Sequence, residues 1–114
     1  MKKTLLFLLL LTAISVSAQI PSYYKKVYEY NVYHKDWALV KTVTGTYGFI
    51  DRSGKEIVPA IYNKIYKFKE GNGKLAMVKS VANSYGFIDD KGKEVVKAIY
   101  FTKDEAIQSL NSTL

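Results

Sequence analysis

Tyrosine is the residue type whose number and spacing could do chemistry in this chain. Ten tyrosines stand among 114 residues, beside one histidine, one tryptophan and no cysteine. A flat ring with a polar tip can stack on a sugar or grip a peptide when it is exposed; buried in a sheet, the same ring is a cross-strand packing residue. Tyr24, Tyr28, Tyr62, Tyr66 and Tyr100 recur at a fixed spacing and read as packing. Tyr23, Tyr30 and Tyr33 are better contact candidates, with Trp37 beside them. Ile61, Phe68 and Gly71 occupy the matching places of the three tyrosines, so the fold does not require tyrosine there.

Other chemistry finds little support. His34 has no second imidazole or thiolate to complete a metal site. Ser53, Ser80 and Ser84 have no base near them in sequence. Asp51 and Asp89 begin short Asp-x-x-Gly stretches whose spacing departs from a calcium loop with alternating oxygen ligands. Gly71-Asn72-Gly73-Lys74 is too short to cradle a phosphate, and its counterpart Tyr33-His34-Lys35-Asp36 has no glycine. The expectation is a protein that is not an enzyme and holds no metal or cofactor.

The elements that position the tyrosines come from a repeat with a period of about 38 residues. YGFIDRSGKEIVPAIY beginning at Tyr47 returns as YGFIDDKGKEVVKAIY beginning at Tyr85. Ungapped extension pairs Tyr24, Lys26 and Tyr28 with Tyr62, Lys64 and Tyr66, and Ala38, Val40 and Lys41 with Ala76, Val78 and Lys79. Two full repeats, about 20–57 and 58–95, are followed by a partial third at 96–101. Each copy reads as strand, tight turn and strand. Tyr47 and Phe49 share one face, and Gly48, opposite, admits a close backbone or ring. Asp51 opens a turn that Gly54 closes in the left-handed region, and Asp89 and Gly92 repeat it. Tyr28, Tyr30 and Val32 alternate as one face of an N-terminal strand, and Ala38 and Val40 oppose Leu39 and Lys41 in the next. Pro59 predicts an edge or a strand end, and Lys97 in its place predicts looser pairing.

The order of an aromatic-Gly-Phe-Ile-Asp strand, an Asp-x-x-Gly-Lys turn, a Val-Pro strand, a tyrosine and Phe-x-Glu-Gly resembles the WG-repeat family, also called KWG repeats. Tyr47-Gly48 and Tyr85-Gly86 carry the namesake pair with tyrosine in place of tryptophan; Tyr62 and Phe68-Lys69-Glu70-Gly71 complete it. The resemblance spans nearly all of the chain after residue 18. It implies an all-β antiparallel hairpin or meander repeat used for interaction, with Tyr47, Gly48, Phe49, Asp51, Gly54, Tyr85, Gly86, Phe87, Asp89 and Gly92 as its structural residues.

The two ends differ from the repeats. Lys2 and Lys3 precede the apolar run Leu5 to Leu11 and a small-residue site at Val16-Ser17-Ala18, which predicts a signal peptide over 1–18 and an exported chain, periplasmic or extracellular, with no membrane span after cleavage. The absence of cysteine excludes a lipoprotein anchor and a disulfide framework. Without Lys2 and Lys3 the 17 basic residues become 15 against 10 acidic ones, so the net charge falls from +7 to +5. The lysines are interspersed with acids, which argues against a specific nucleic-acid surface. At the C-terminus, Thr102-Lys103-Asp104-Glu105 is a capping box and Ala106, Ile107 and Leu110 an apolar stripe, so 102–114 should form a short helix and a polar tail that cover the last sheet. The expected function is binding of a protein or peptide in the cell envelope or outside the cell. Self-association, or an envelope glycan held by tyrosines, is the alternative, and a small envelope enzyme the remotest.

Overall fold

A computed structural model describes residues 23–68 and 73–113. The expected signal segment, the opening residues of the first repeat and the Glu70-Gly71-Asn72 part of the second turn lie outside them. Seven strands follow one another: β1 (Tyr24–Tyr30), β2 (Ala38–Thr42), β3 (Tyr47–Ile50), β4 (Glu56–Ile65), β5 (Leu75–Ser80), β6 (Tyr85–Asp89) and β7 (Glu94–Tyr100). They form one antiparallel meander in which spatial order is chain order, so β1 and β7 are the edges. Among the described residues one helix, α1 (Lys103–Thr113), follows β7.

The tight turns form from local chemistry. Asp51 Oδ1 accepts from the Ser53 and Lys55 amides, while Gly54, at φ 85°, donates to the Asp51 carbonyl. Asp89 does the same with Lys91, Lys93 and Gly92. The other hairpin turn also repeats with changed residues. Thr42 and Thr46 exchange backbone and hydroxyl bonds around Gly45, as Ser80 and Ser84 do around Asn83, and Asn83 tolerates the left-handed φ that Gly45 takes freely.

Gly48 explains how one repeat feeds the next. The β3–β4 register runs from Phe49↔Val58 to Tyr47↔Tyr62, so β4 carries extra residues around Pro59 in a bulge opposite Gly48. A Cβ on Gly48 would stand 2.5 Å from the Val58 carbonyl oxygen and 2.7 Å from Ala60 Cα. Gly86 meets the Val96 oxygen and Ala98 in the same way. The expected close approach is therefore that of the returning backbone. Pro59 lies at neither an edge nor a strand end; the bulge excuses its missing N–H within an internal strand. Lys97 does not loosen the pairing, since Phe87↔Val96 and Tyr85↔Tyr100 reproduce the register of the first copy. Past the bulge β4 continues to Ile65 and pairs there with β5, through Ile65↔Val78. β4 is thus one strand shared by two repeats, across the expected boundary between residues 57 and 58.

Both faces of each repeat are buried, each against a different neighbour. Leu39, Phe49, Val58 and Tyr62 cluster with Ala76, Val78 and Ile88 of the following copy. The phenylalanine face of one repeat thus packs on the Ala-Val-Ile face of the next. At the N-terminal end the first such face, Ala38, Val40 and Ile50, meets Tyr24 with Tyr30 and Ala60. At the C-terminal end Phe87 and Val96 pack against Ala106 and Leu110 of α1 instead of the face of another repeat.

The helix starts where its capping box predicts. The Glu105 amide donates to Thr102 Oγ1 at 3.1 Å, and Glu105 Oε1 accepts from the Thr102 amide at 3.1 Å. Two details differ from expectation. Ile107 is 39% exposed, because only Ala106 and Leu110 face the sheet. The helix also runs on to Thr113, through residues assigned to a tail. At the other end Tyr28, Tyr30 and Val32 do not form the expected single face: a bulge between Val27 and Tyr30 sends Tyr28 to the Phe49 cluster and Tyr30 to the Ala38 cluster, and β1 then stops, with Asn31 at φ 68° and Val32 exposed.

Candidate functional site

The four contact candidates do not share one face. Trp37 is only 8% exposed and is a core ring, 5.4 Å from Phe49 and 5.8 Å from Phe68 by ring centres. His34 stacks over it at 4.2 Å, which gives the lone histidine a packing role. Trp37 is therefore corrected from contact residue to core, since the β1–β2 loop folds it inward just before Ala38. Tyr30 is half-buried, with its hydroxyl donating to the Asp51 carbonyl at 2.9 Å and the Arg52 guanidinium 4.7 Å above its ring. Arg52 in turn pairs with Asp36 at 2.8 Å, and that guanidinium holds the Asp36 carboxyl below its usual range. Tyr30 thus ties two turns together. Tyr23 is 47% exposed and Tyr33 half-buried, edge-on to Phe49; the two lie in different surroundings.

The repeated tyrosines link the copies. Tyr24 Oη donates to Glu56 Oε2 at 2.8 Å, with Tyr23 Oη 3.3 Å from the same oxygen. Thirty-eight residues on, Tyr62 Oη donates to Glu94 Oε2. Tyr100, the third in the series, donates instead to Ser109 Oγ of α1 at 3.0 Å. Burial pushes the Tyr24 and Tyr62 phenols well above their ordinary value, and the hydrogen bonds to their neighbours add to it. Both phenols hold their protons at neutral pH, as bonding to a carboxylate requires. Asp51 is shifted the other way, below its ordinary range, by the Ser53 hydroxyl and the turn amides.

The surface that remains is a groove of about 740 Å³ beside β1. Lys26, Val27, Tyr28 and Glu29 of β1 form one wall, and Asn63, Lys64 and Ile65 of β4 another. Tyr33, Leu39, Tyr47 and Lys79 complete much of the lining. Lys26 Nζ stands 4.4 Å over the Tyr28 ring and Lys41 Nζ 5.6 Å over Tyr47. The next copy repeats this, with Lys64 over Tyr66 at 4.3 Å and Lys79 over Tyr85 at 5.6 Å. There, however, Lys103 of α1 also approaches both rings, at 4.9 and 6.0 Å.

A second, smaller hollow of about 370 Å³ lies among Ile61, Val81, Lys97 and Ile99. No group of three or more metal-ligating side chains gathers among the described residues.

Of the sequence candidates, the groove includes Tyr33 alone, with Tyr47 from the structural set. Lys26, Tyr28, Lys64 and Lys79 were missed as a site. Their signal was the recurrence of lysine with tyrosine at matching places, which shows pairing only once the strands are in register.

Compared with known proteins, residues 47–80 and 85–100 match the family model described as WG containing repeat. Neither a curated protein nor a solved structure matches the chain.

Proposed function

We propose that this chain, whose residues 47–100 belong to the WG-repeat family, is an exported, non-catalytic module that binds an extended segment of a protein partner along β1. The observation that carries this reading is the groove itself, which runs beside a strand that pairs on one side only. An edge strand offers backbone donors and acceptors to an added strand, and a flanking groove receives alternate side chains. Val27 and Val32, 37% and 51% exposed, supply apolar surface at that wall.

A neutral glycan fits less well. Sugar stacking needs an open ring face, and the faces of Tyr28 and Tyr47 are occupied by Lys26 and Lys41. A binding role, not a catalytic one, also suits the phenols of Tyr24 and Tyr62, which stay protonated and engaged between repeats.

The test is selection of a displayed peptide library on the purified protein in parallel with a glycan array, followed by amide hydrogen exchange on the selected complex. The expected result is enriched peptides that slow exchange across Tyr24–Tyr30. Glycan hits without peptide hits, or protection confined to other strands, would defeat the reading.

A further inference from the structure

The register of the sheet sets lysine against lysine twice. Lys26 is the direct cross-strand partner of Lys41, and Lys64 that of Lys79. Like charges placed opposite one another on a sheet are destabilising. None of the four makes an ion pair among the described residues; each instead lies over a tyrosine ring, which attracts a cation without neutralising it. The same unfavourable juxtaposition at equivalent places in two repeats puts uncompensated positive charge on one surface. Three of these lysines, Lys26, Lys64 and Lys79, meet in the groove with Glu29 as its single acid.

We propose that the groove takes an acidic extended segment of a partner protein, its carboxylates drawn to Lys26, Lys64 and Lys79 while its backbone adds to β1. This rests on the peptide-binding reading and names the chemistry of the peptide. A second copy of the chain is a poor occupant: β1 reads Tyr-Lys-Lys-Val-Tyr-Glu-Tyr, two lysines to one glutamate, so a second β1 would add net positive charge to a groove already lined by three lysines. Nucleic acid is disfavoured because its bases need free ring faces to stack on, and the lysines cover those of Tyr28 and Tyr47. An alternating acidic strand suits the site better. Carboxylates on one of its faces reach the lysines, and the other face stays apolar or solvated.

The discriminating experiment measures fluorescence anisotropy of a labelled alternating Glu-Val peptide with the wild-type protein, Lys26→Glu, Lys64→Glu and, as a control in the smaller hollow, Val81→Ser. Alternating Thr-Val and Lys-Val peptides, a heparin oligosaccharide and oligo-dT are the competitors, and thermal melting is recorded for every variant. Wild type should bind the Glu-Val peptide, and each lysine reversal should weaken binding roughly tenfold or more. Each reversal should also hold or raise the melting temperature, since glutamate then faces Lys41 or Lys79 as an opposite charge. Val81→Ser should bind as wild type does.

Equal binding of the Thr-Val peptide overturns the acidic preference and leaves the peptide-binding module standing. Binding of none of the peptides overturns both. Heparin or oligo-dT binding as tightly as the peptide shows a general polyanion surface and overturns the inference. A fall in melting temperature that tracks the loss of affinity makes the lysines structural and overturns it as well.

Discussion

The two repeats use the same residues under different covers. In the first, Phe49 is fully buried beneath the Ala76, Val78 and Ile88 face of the second. In the second, Phe87 is 5% exposed beneath one helix that contributes Ala106 and Leu110. Tyr62 finds a carboxylate in the next repeat, whereas Tyr100 finds the hydroxyl of Ser109. Lys103 of that helix also reaches the Tyr66 and Tyr85 rings, while no residue of α1 lines the groove at Tyr28 and Tyr47. A helix can thus close a repeat much as a neighbouring repeat does, and the proposed binding surface lies at the copy that the helix does not cover.

Replacement of the two phenylalanines should expose this difference most clearly. Phe49→Ala should cost about 4 kcal/mol, from lost burial plus a cavity between two packed repeats. Phe87→Ala should cost about 3 kcal/mol, because a single helix can settle toward the gap. Denaturant midpoints at constant slope would check the order, and an equal cost would mean the helix packs as firmly as a repeat.

Gly48→Ala and Gly86→Ala should follow at about 3 kcal/mol each, since the added methyl drives into backbone at the bulge and no side chain can swing away. If either variant melts like wild type, the bulge can open, and the account of the shared strand is wrong for that repeat.

Removing hydroxyls should have smaller effects. Tyr62→Phe should lower stability by about 1.5 kcal/mol, since it loses a hydrogen bond to a charged group, and Tyr100→Phe by about 1 kcal/mol. A double substitution of Tyr62 with Glu94 would test the coupling directly. Thr102→Ala should cost about 1 kcal/mol through loss of the helix cap, and its effect should be felt at Phe87 and not at Phe49.

The pH profile distinguishes the links chemically. The Tyr24 and Tyr62 phenols are raised in the folded protein above the ordinary 10.0. The folded state then holds protons that the unfolded chain releases, so their contribution is complete below pH 10 and declines as the pH rises above it. Tyr24→Phe and Tyr62→Phe should each flatten that alkaline decline in urea titrations. Asp36 and Asp51 have the opposite sign, contributing above the ordinary carboxylate value and losing the contribution as acid protonates them. Both lie in exposed turns, so the acid effect should be the smallest.

Local features were legible because each is made within a few residues. The Asp51 and Asp89 turns need one carboxylate and one left-handed glycine nearby, and the Thr102–Glu105 box closes within one helical turn. Pro59 misled because a proline in isolation signals an edge, and only the extra residues opposite Gly48 reveal a bulge. Trp37 misled because an unrepeated aromatic beside a loop looks available; its burial comes from Phe68, thirty-one residues later. The candidate site was less legible still. Tyr28, Lys64 and Lys79 are far apart in sequence, and only sheet register brings them into one groove.

By itself, then, the sequence determined the repeat, its period, the alternation of the repeated strands, the Asp-x-x-Gly turns and the helix that follows β7. All of these follow from short-range sterics, hydrogen bonding and apolar periodicity. The tertiary structure alone decided which face of each repeat met which neighbour, where β4 bulged, which tyrosines became internal links and which lysines were set opposite one another. Those outcomes depend on the register between strands and on where the bulges fall, since a shift of one residue exchanges the two faces of a strand.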